Sequence, residues 1–277
     1  MMKWTSEAES AIKKVPFFVR KRVRARVEKE AVEHGKPLVS LAEVKATQRR
    51  YLNNMESEVR GYQLDTCFGP NGCPRRAVKG DDLMPRIQAL LEKEDLLGFL
   101  KQTVPGTLRF HHEFRITVAD CPNACSQPQI KDIGILGACV PQVTEEACSR
   151  CEACVEVCRD TAVALADDDG DRPVIDRERC INCGQCIPAC PTGTLASGRR
   201  GYRIQLGGKL GRHPRLAMEL PDIFSEDDVL RVIRDCIVLY KQRSRHGERF
   251  ADLLTAEDLE TYARHGRFPG ADNPSPV

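Results

Sequence analysis

The sequence predicts an α+β fold in which a helical module precedes a sheet-containing domain with a cysteine-rich insert. Capping signals stand before helix-forming stretches, and apolar and polar residues alternate in other stretches as they do in strands. Most of the fourteen cysteines fall into spaced groups. Strands and helices arranged around one sheet are typical of this fold class. We expect a helical module at 1–60, a domain formed by 61–146 and 195–277, and an inserted domain at 147–194.

The helical module is predicted from two capping-box signals. Ser6 with Glu9 and Ser40 with Glu43 have the required spacing, and each pair stands before a helix-forming stretch. Pro16 interrupts the first helical run. The basic run RKRVRAR at 20–26 is typical of a solvated helix face.

Two alternating segments predict strands. The segment LRFHHEFRITVAD begins at Leu108 and predicts a strand that ends at Cys121. The segment YRIQL at 202–206 predicts a second strand, which ends at two glycines. Ser225 with Asp228 then predicts the start of a helix that runs to about Tyr240.

Composition excludes several classes of protein. The 277 residues are 41% apolar and 30% charged, which is typical of a globular protein. No run of about 18 apolar residues and no apolar signal-peptide core are present, so we expect a cytoplasmic protein without a membrane segment. The net charge of +2 gives no reason to expect nucleic acid as a partner. Cysteines in a reducing compartment favour metal ligation over disulfides.

The insert contains an internal repeat. The pattern C-x2-C-x2-C-x3-C occurs twice, and proline follows only the second copy; Arg159 takes its place in the first. In bacterial ferredoxins this run binds [4Fe-4S] clusters, and the fourth cysteine of each copy binds the other cluster. We therefore expect one cluster on Cys148, Cys151, Cys154 and Cys190, and another on Cys180, Cys183, Cys186 and Cys158. DDDG at 167–170 is predicted to form the turn between the copies.

Zinc is the alternative for this insert. A four-coordinate zinc site has no place for the extra cysteine in each copy, so the spacing favours iron and sulfur.

A further group of cysteines lies outside the insert. Cys67 and Cys73 are spaced C-x5-C, and Cys121 and Cys125 are spaced C-x3-C. Neither pair is a ferredoxin run, yet together they offer four soft ligands on tight turns rich in glycine and proline. Cys139 and Cys236 fit no ligand set, and we expect Cys236 to be a small buried apolar residue.

These motifs resemble a known family. The CFGPNGC turn, the strand that ends in CPNAC, the segment GYRIQLGGKLGRHPRLA and the helix LRVIRDCIVLYKQRSRHGERFADLL are similar to the C-terminal half of sirohaem-dependent sulfite and nitrite reductases. A ferredoxin segment in this place resembles dissimilatory and anaerobic sulfite reductase subunits. The resemblance implies a third [4Fe-4S] cluster on Cys67, Cys73, Cys121 and Cys125. It also implies that Cys125 bridges this cluster to the sirohaem iron.

The sirohaem carries many carboxylates, which guanidinium and ammonium groups can bind by charge-assisted hydrogen bonds. Asn123 is a further polar candidate, although we expect it to cap the turn. For each cation, ordinary surface exposure is the competing interpretation. The candidate cofactor-binding residues are Arg75, Arg76, Arg109, Arg115, Asn123, Lys131, Lys209, Arg212 and Arg215.

The family pattern also breaks at one place. Full-length members have two similar halves, and the first half is missing from this sequence. The stretch VPFFVRKRVRARVEKEAVEHG in its place resembles the small C-terminal module of a light-independent protochlorophyllide reductase subunit. A homodimer or a second subunit is expected to complete a sirohaem site, unless no sirohaem is bound.

Two functions are therefore predicted. The first is an enzyme that receives electrons from a redox donor protein and reduces a small oxyanion, sulfite or nitrite, at sirohaem. The second is an electron-transfer subunit that has three clusters, binds no sirohaem and serves a catalytic partner.

Overall fold

The computed structural model describes residues 2–15, 17–166 and 172–268. It has the predicted α+β architecture. Pro16 and the predicted DDDG turn lie outside the described residues. Two compact units are present, one formed by residues 2–59 with 106–111 and the other by residues 60–105 with 112–268. Among the described residues, no helix has both the length and the apolar character needed to cross a membrane.

The first unit is mainly helical. Its elements are β1 (Lys3–Trp4), α1 (Ser6–Lys13), α2 (Phe17–Glu33), β2 (Leu38–Val39) and α3 (Leu41–Glu58). At Ser40 half of the predicted capping box is present, since its backbone N–H and hydroxyl both donate to Glu43, while the hydroxyl accepts the N–H of Ala42 and not that of Glu43. The prediction for the first helix was wrong by one residue. Thr5 is its N-cap, and its hydroxyl accepts the N–H of Ala8.

Trp4 fixes the packing of this unit. Its indole Nε1 donates to Glu28 at 2.8 Å, and the Arg24 guanidinium lies 4.4 Å from the ring centre. Arg24 also pairs with Glu9. The basic run of α2 is therefore only partly a solvated face, because one of its arginines joins α2 to both α1 and Trp4.

The second unit contains the main sheet and the insert. Its elements are β3 (Tyr62–Thr66), α4 (Leu83–Lys93), α5 (Leu96–Thr103), β4 (Phe114–Ala119), β5 (Ile133–Val143), α6 (Ala153–Val157), β6 (Val163–Leu165), β7 (Pro173–Ile175), α7 (Cys186–Ala189), β8 (Leu195–Leu206), β9 (Met218–Glu219), α8 (Glu226–Arg243), α9 (Phe250–Leu253) and α10 (Ala256–His265).

The main sheet has the strand order β3-β4-β5-β8-β9. Strands β3, β4 and β5 are parallel, and β8 and β9 are antiparallel to their neighbours. Because parallel strands end at the same edge, the residues that follow β3 and β4 lie side by side. Strands β5 and β8 extend past this edge as a long antiparallel pair and lead into the insert.

The predicted strand before Cys121 begins later than expected. Residues Phe110–His112 form a 3-10 turn, and the strand starts at Phe114. Arg109, which lies in the segment predicted as a strand, therefore precedes the strand and belongs to the first unit. The late helix begins at Ser225 with a complete capping box, as predicted, and extends beyond Tyr240 to Arg243.

Helix α8 packs its apolar side against the sheet. Tyr240 contacts Phe114 of β4 and Phe250 of α9, with ring centres 5.3 Å and 6.5 Å away. Cys236 is fully buried on the same helix, which confirms that it is a core residue. This core supports β4 and thereby the position of Cys121.

The insert forms its own small core. Strands β6 and β7 pair in an antiparallel manner, and α6 packs against α7. The residues in this core include the ligand candidates Cys154 and Cys186, which are both buried. Cysteines of both runs therefore meet in one core, since Cys158 and Cys190 also pack against it.

Candidate iron-sulfur site

Strand register brings the cysteines outside the insert together. Thr66 of β3 lies opposite Val118 of β4, so Cys67 follows β3 at the level where β4 reaches Ala119. The N–H of Cys67 donates to the Val118 carbonyl at 3.0 Å. The N–H of Asp120 in turn donates to the Cys67 sulfur at 3.3 Å. Cys67 is thus fixed beside the chain that leads to Cys121.

Two tight turns supply the other three thiols. Gly69–Asn71 form a 3-10 turn, after which Gly72 has φ +95° and Cys73 returns its N–H to the Gly69 carbonyl. In the second turn, the N–H of Ala124 donates to the Cys121 carbonyl. Cys125 is exposed at the end of this turn.

The electrostatic surroundings of Cys121 include the other three thiols. Burial raises the pKa of Cys121. Repulsion from Cys67, Cys125 and Cys73 raises this pKa further, so each of these three thiols lies near Cys121.

The thiols of the insert also form two groups. Burial raises the pKa of Cys154, and the thiols of Cys190 and Cys148 add to the effect. Burial raises the pKa of Cys186 to about 12, and its further neighbours are Cys183, Cys180 and Cys158. Each group therefore includes one cysteine from the other copy of the run. That these groups bind clusters stays a prediction.

Hydrogen bonds to sulfur are typical of cysteines that serve as thiolates in clusters. Burial opposes ionisation of Cys190, but N–H donors from Leu195 and the Thr192 hydroxyl outweigh it and lower the pKa to about 7. The Leu195 N–H lies 3.4 Å from this sulfur. At Cys158, the N–H of Ala162 donates to sulfur at 3.3 Å.

A single metal ion and a [4Fe-4S] cube require different arrangements of thiols. A four-coordinate ion needs its ligands gathered at one point. Within the parts of the chain that the structure describes, no group of three or more His, Cys, Asp or Glu side chains could hold one metal ion. In a [4Fe-4S] cube each thiolate binds a different iron atom, so the four sulfur atoms surround the cluster instead of converging.

Strained backbone concentrates in the cysteine loops. Most of the non-glycine residues with positive φ in the described chain lie there: Ala124, Gln127, Arg150, Glu152, Thr161 and Asn182. Each such residue costs of order 1–3 kcal/mol and persists only where surrounding structure holds it. Strain of this kind at several thiol loops is typical of functional sites.

Asp120 was not predicted from the sequence, yet it stabilises the loop that follows Cys73. Its carboxylate accepts the Arg76 Nε–H at 2.6 Å, and its carbonyl accepts the N–H groups of Ala77 and Val78. Burial raises the pKa of Asp120, and Arg76 opposes that rise. The signal in the sequence is an acidic residue between an apolar strand and a cysteine.

Several predicted cofactor-binding cations have partners within the chain. Arg76 pairs with Asp120 and Asp81, so its guanidinium is a structural group of the loop. Lys131 pairs with Asp65 at 2.7 Å, and Lys209 pairs with Asp252. Arg215 donates to the carbonyls of Gly207 and Ala251.

The remaining candidates differ in their surroundings. Arg75 and Arg212 are exposed. Burial lowers the pKa of Arg115, and the positive charge of Arg249 lowers it further. Asn123 lies at the site, where its Nδ2–H donates to the Cys125 sulfur at 2.9 Å. This contact is different from the turn cap that we expected.

The loop after β8 brings Lys209, Arg212 and Arg215 near the segment that follows Cys125. The N–H groups of Gly207 and Gly208 donate to the carbonyls of Asp132 and Lys131, both at 2.8 Å. The ends of this loop therefore lie beside residues 129–132, at the far end of the segment that begins with Cys121, because the Ala217 N–H also donates to the Gln129 carbonyl.

The fold and the thiol groups together define the class of protein: an iron-sulfur protein with [4Fe-4S] clusters. Comparison with known families agrees with this class. The model of the nitrite and sulphite reductase 4Fe-4S domain matches residues 66–265, so the chain belongs to this family. The model of the proto-chlorophyllide reductase 57 kD subunit matches residues 4–47.

Individual relatives are distant. A coenzyme F420-dependent sulfite reductase of Methanocaldococcus jannaschii is 33% identical over 138 residues, which are 50% of this chain and 22% of that protein. An uncharacterized ferredoxin of the same organism is 44% identical over 50 residues, 17% of this chain and 31% of that protein. The crystal structure of dissimilatory sulfite reductase I matches with a TM-score of 0.49 and 14% identity, over 86% of this chain and 61% of that one. The chain thus spans less than a third of the length of the F420-dependent sulfite reductase and of the ferredoxin.

Proposed function

We propose that this protein is an iron-sulfur oxidoreductase that passes electrons from its ferredoxin-like insert to a third cluster coupled to sirohaem, for reduction of sulfite or nitrite. The observation that carries the proposal is that the strand register and the two turns place Cys67, Cys73, Cys121 and Cys125 at one edge of the sheet, where the Asp120 N–H donates to the Cys67 sulfur. The insert extends from the same edge on β5 and β8. Family membership supports the same reaction class.

The residues of the site have separate roles in this proposal. Cys125 is the exposed thiol of its group and would share its sulfur with the haem iron. Asn123 donates to this sulfur and stabilises negative charge on it. Sirohaem would supply the metal centre at which the oxyanion is reduced.

The cations of the chain support only part of a sirohaem site. Lys131 and Lys209 pair with Asp65 and Asp252, which are about half exposed, so these ion pairs are weak enough to exchange for cofactor carboxylates. Arg212 is exposed on the same loop as Lys209. Arg76 is excluded as a donor to sirohaem because it pairs with the buried Asp120. A second copy of the chain or another subunit would supply the missing donors.

A second function is favoured by Arg76 and Arg215, which are held by the buried Asp120 carboxylate and by backbone carbonyls of the chain itself. Because several candidate cations already have partners, the chain could instead act as a relay subunit without sirohaem, with a catalytic partner that carries the reduction. The thiol groups serve equally well in this role.

The visible spectrum and acid-acetone extract of anaerobically purified full-length protein distinguish the two functions. We expect sirohaem in the extract together with cluster absorption. Cluster absorption without an extractable tetrapyrrole, also after incubation with sirohaem, would contradict the enzyme and leave the relay.

A substitution pair tests the bridging role. In Cys125→Ser, haem absorption and the adjacent cluster should be lost together, while the clusters of the insert persist. Cys236→Ala is the matched control, since this buried cysteine belongs to no thiol group, and it should keep all of them. Normal haem absorption in Cys125→Ser would contradict the bridge.

A further inference from the structure

The loop of the second cysteine run joins the main sheet directly. The N–H of Cys139 on β5 donates to the Asn182 carbonyl at 2.7 Å, and Cys139 and Cys183 form a parallel β-bridge. Cys139 itself is buried, and its sulfur lies 3.2 Å from the Ser197 hydroxyl. The bridge therefore connects a ligand loop of the insert to a rigid strand.

The bridge must lie on one particular side of β5. Strand β8 already pairs with β5 at this level, through Cys139 and Arg200. A strand has only two neighbours in a sheet, so Cys183 lies on the other side, where β4 pairs earlier along β5. The Asn182–Cys183 loop thus occupies the position that β4 leaves after its last residue.

The same side of β5 carries the third thiol group. A Cβ on Gly137 would come within 2.4 Å of the Asp120 carbonyl oxygen, so the chain just before Cys121 lies against Gly137. Cys139 is two residues further along the strand, a distance of about 7 Å. Cys121 and Cys183 are therefore consecutive along one side of one strand.

Side-chain contacts hold the second run in this place. Arg203 of β8 donates to the Ile181 carbonyl at 3.2 Å and pairs with Glu219. Arg177 donates to the Pro141 carbonyl at 2.8 Å. In contrast, Cys151 in the first run is exposed.

We propose that the thiol group of Cys158, Cys180, Cys183 and Cys186 holds the cluster that faces the Cys67, Cys73, Cys121 and Cys125 group, and that the bridge between Cys139 and Cys183 sets their separation. The group with exposed Cys151 is then the entry point, where an external one-electron donor is oxidised as the first cluster is reduced. This inference rests on the proposed function, because it requires a cluster at the third group. It adds the order of the relay.

Electron paramagnetic resonance of the dithionite-reduced full-length protein tests this order, because magnetic coupling between clusters falls steeply with distance. The variants Cys183→Ser and Cys151→Ser remove the second cysteine of each run and are matched in sequence position. We expect broadening of the third cluster's signal in the native protein and in Cys151→Ser. The broadening should be lost in Cys183→Ser. Loss of the broadening in Cys151→Ser alone would overturn the proposed order of the clusters.

A glycine pair tests the bridge without touching a ligand. Gly184 and Gly193 have φ of +69° and +76°, so alanine is strained at both. At Gly184 the added methyl would come within 2.8 Å of the Cys139 side chain, whereas at Gly193 the nearest atom is 4.0 Å away. We expect Gly184→Ala to weaken the broadening and Gly193→Ala to leave it unchanged. Equal effects would contradict the role of the bridge.

Iron content measured on the same samples separates the possible failures. If the protein contains the two clusters of the insert and no third, both the proposed function and the relay order are wrong. If three clusters are present and the broadening of the third cluster's signal is lost in Cys151→Ser but not in Cys183→Ser, only the relay order is wrong.

Discussion

Arg76 pairs with two carboxylates, and removal of the Asp120 carboxylate should destabilise the second unit far more than removal of the Asp81 carboxylate. The Asp120 side chain is 4% exposed and Arg76 is 14% exposed, whereas Asp81 is 62% exposed. Breaking a buried ion pair costs roughly 3–5 kcal/mol. Because Arg76 keeps Asp81 in Asp120→Ala, we take the lower end and expect a loss of about 3 kcal/mol. Asp81→Ala breaks an exposed pair and should cost about 0–1 kcal/mol.

Urea unfolding at neutral pH, followed by circular dichroism under anaerobic conditions, measures both changes. The difference between the two variants tests the reasoning, because both remove a carboxylate from the same arginine. A loss below about 1 kcal/mol in Asp120→Ala, or equal losses in the two variants, would refute the assignment of Arg76 to a structural role.

Three further substitutions have defined outcomes. Asn123→Ala removes a donor to the Cys125 sulfur, so potentiometry should show a more negative reduction potential for the adjacent cluster; an unchanged potential would contradict this contact. Backbone N–H groups of His246, Glu248 and Arg245 lower the pKa of Glu248 to about 2. The contribution of Glu248 to stability is therefore complete above its unfolded pKa of about 4.3 and is lost as the pH falls towards 2. The stability difference between the native protein and Glu248→Ala should shrink over that range, and a constant difference would refute the assignment. Glu28→Ala removes the acceptor of Trp4, the one tryptophan, and should lower the midpoint of the fluorescence transition, while an unaltered midpoint would argue against the bond.

Features of the fold that depend on local sequence could be predicted. The capping box at Ser225 and the α8 helix follow from residues that are neighbours in sequence, and the two thiol groups of the insert follow from spacing. The start of β4 could not be predicted, because the alternation that begins at Leu108 continues through residues that form a 3-10 turn. Alternation does not distinguish a strand from a short turn of this kind.

The polar contacts of the site could not be predicted because their partners are distant in sequence. Asp120 lies 44 residues from Arg76, and Lys131 lies 66 residues from Asp65. Sequence shows which residues are cations but not which carboxylates they meet. The same limit applies to the bridge between Cys139 and Cys183, since Cys139 matches no motif.

Analysis of iron and acid-labile sulfide in the anaerobically purified full-length protein, beside a variant with Cys67, Cys73 and Cys121 replaced by serine, tests the third cluster most directly. We predict about twelve cluster irons per native chain and about eight per variant chain. About eight in both proteins would contradict the third cluster and, with it, the reductase proposal.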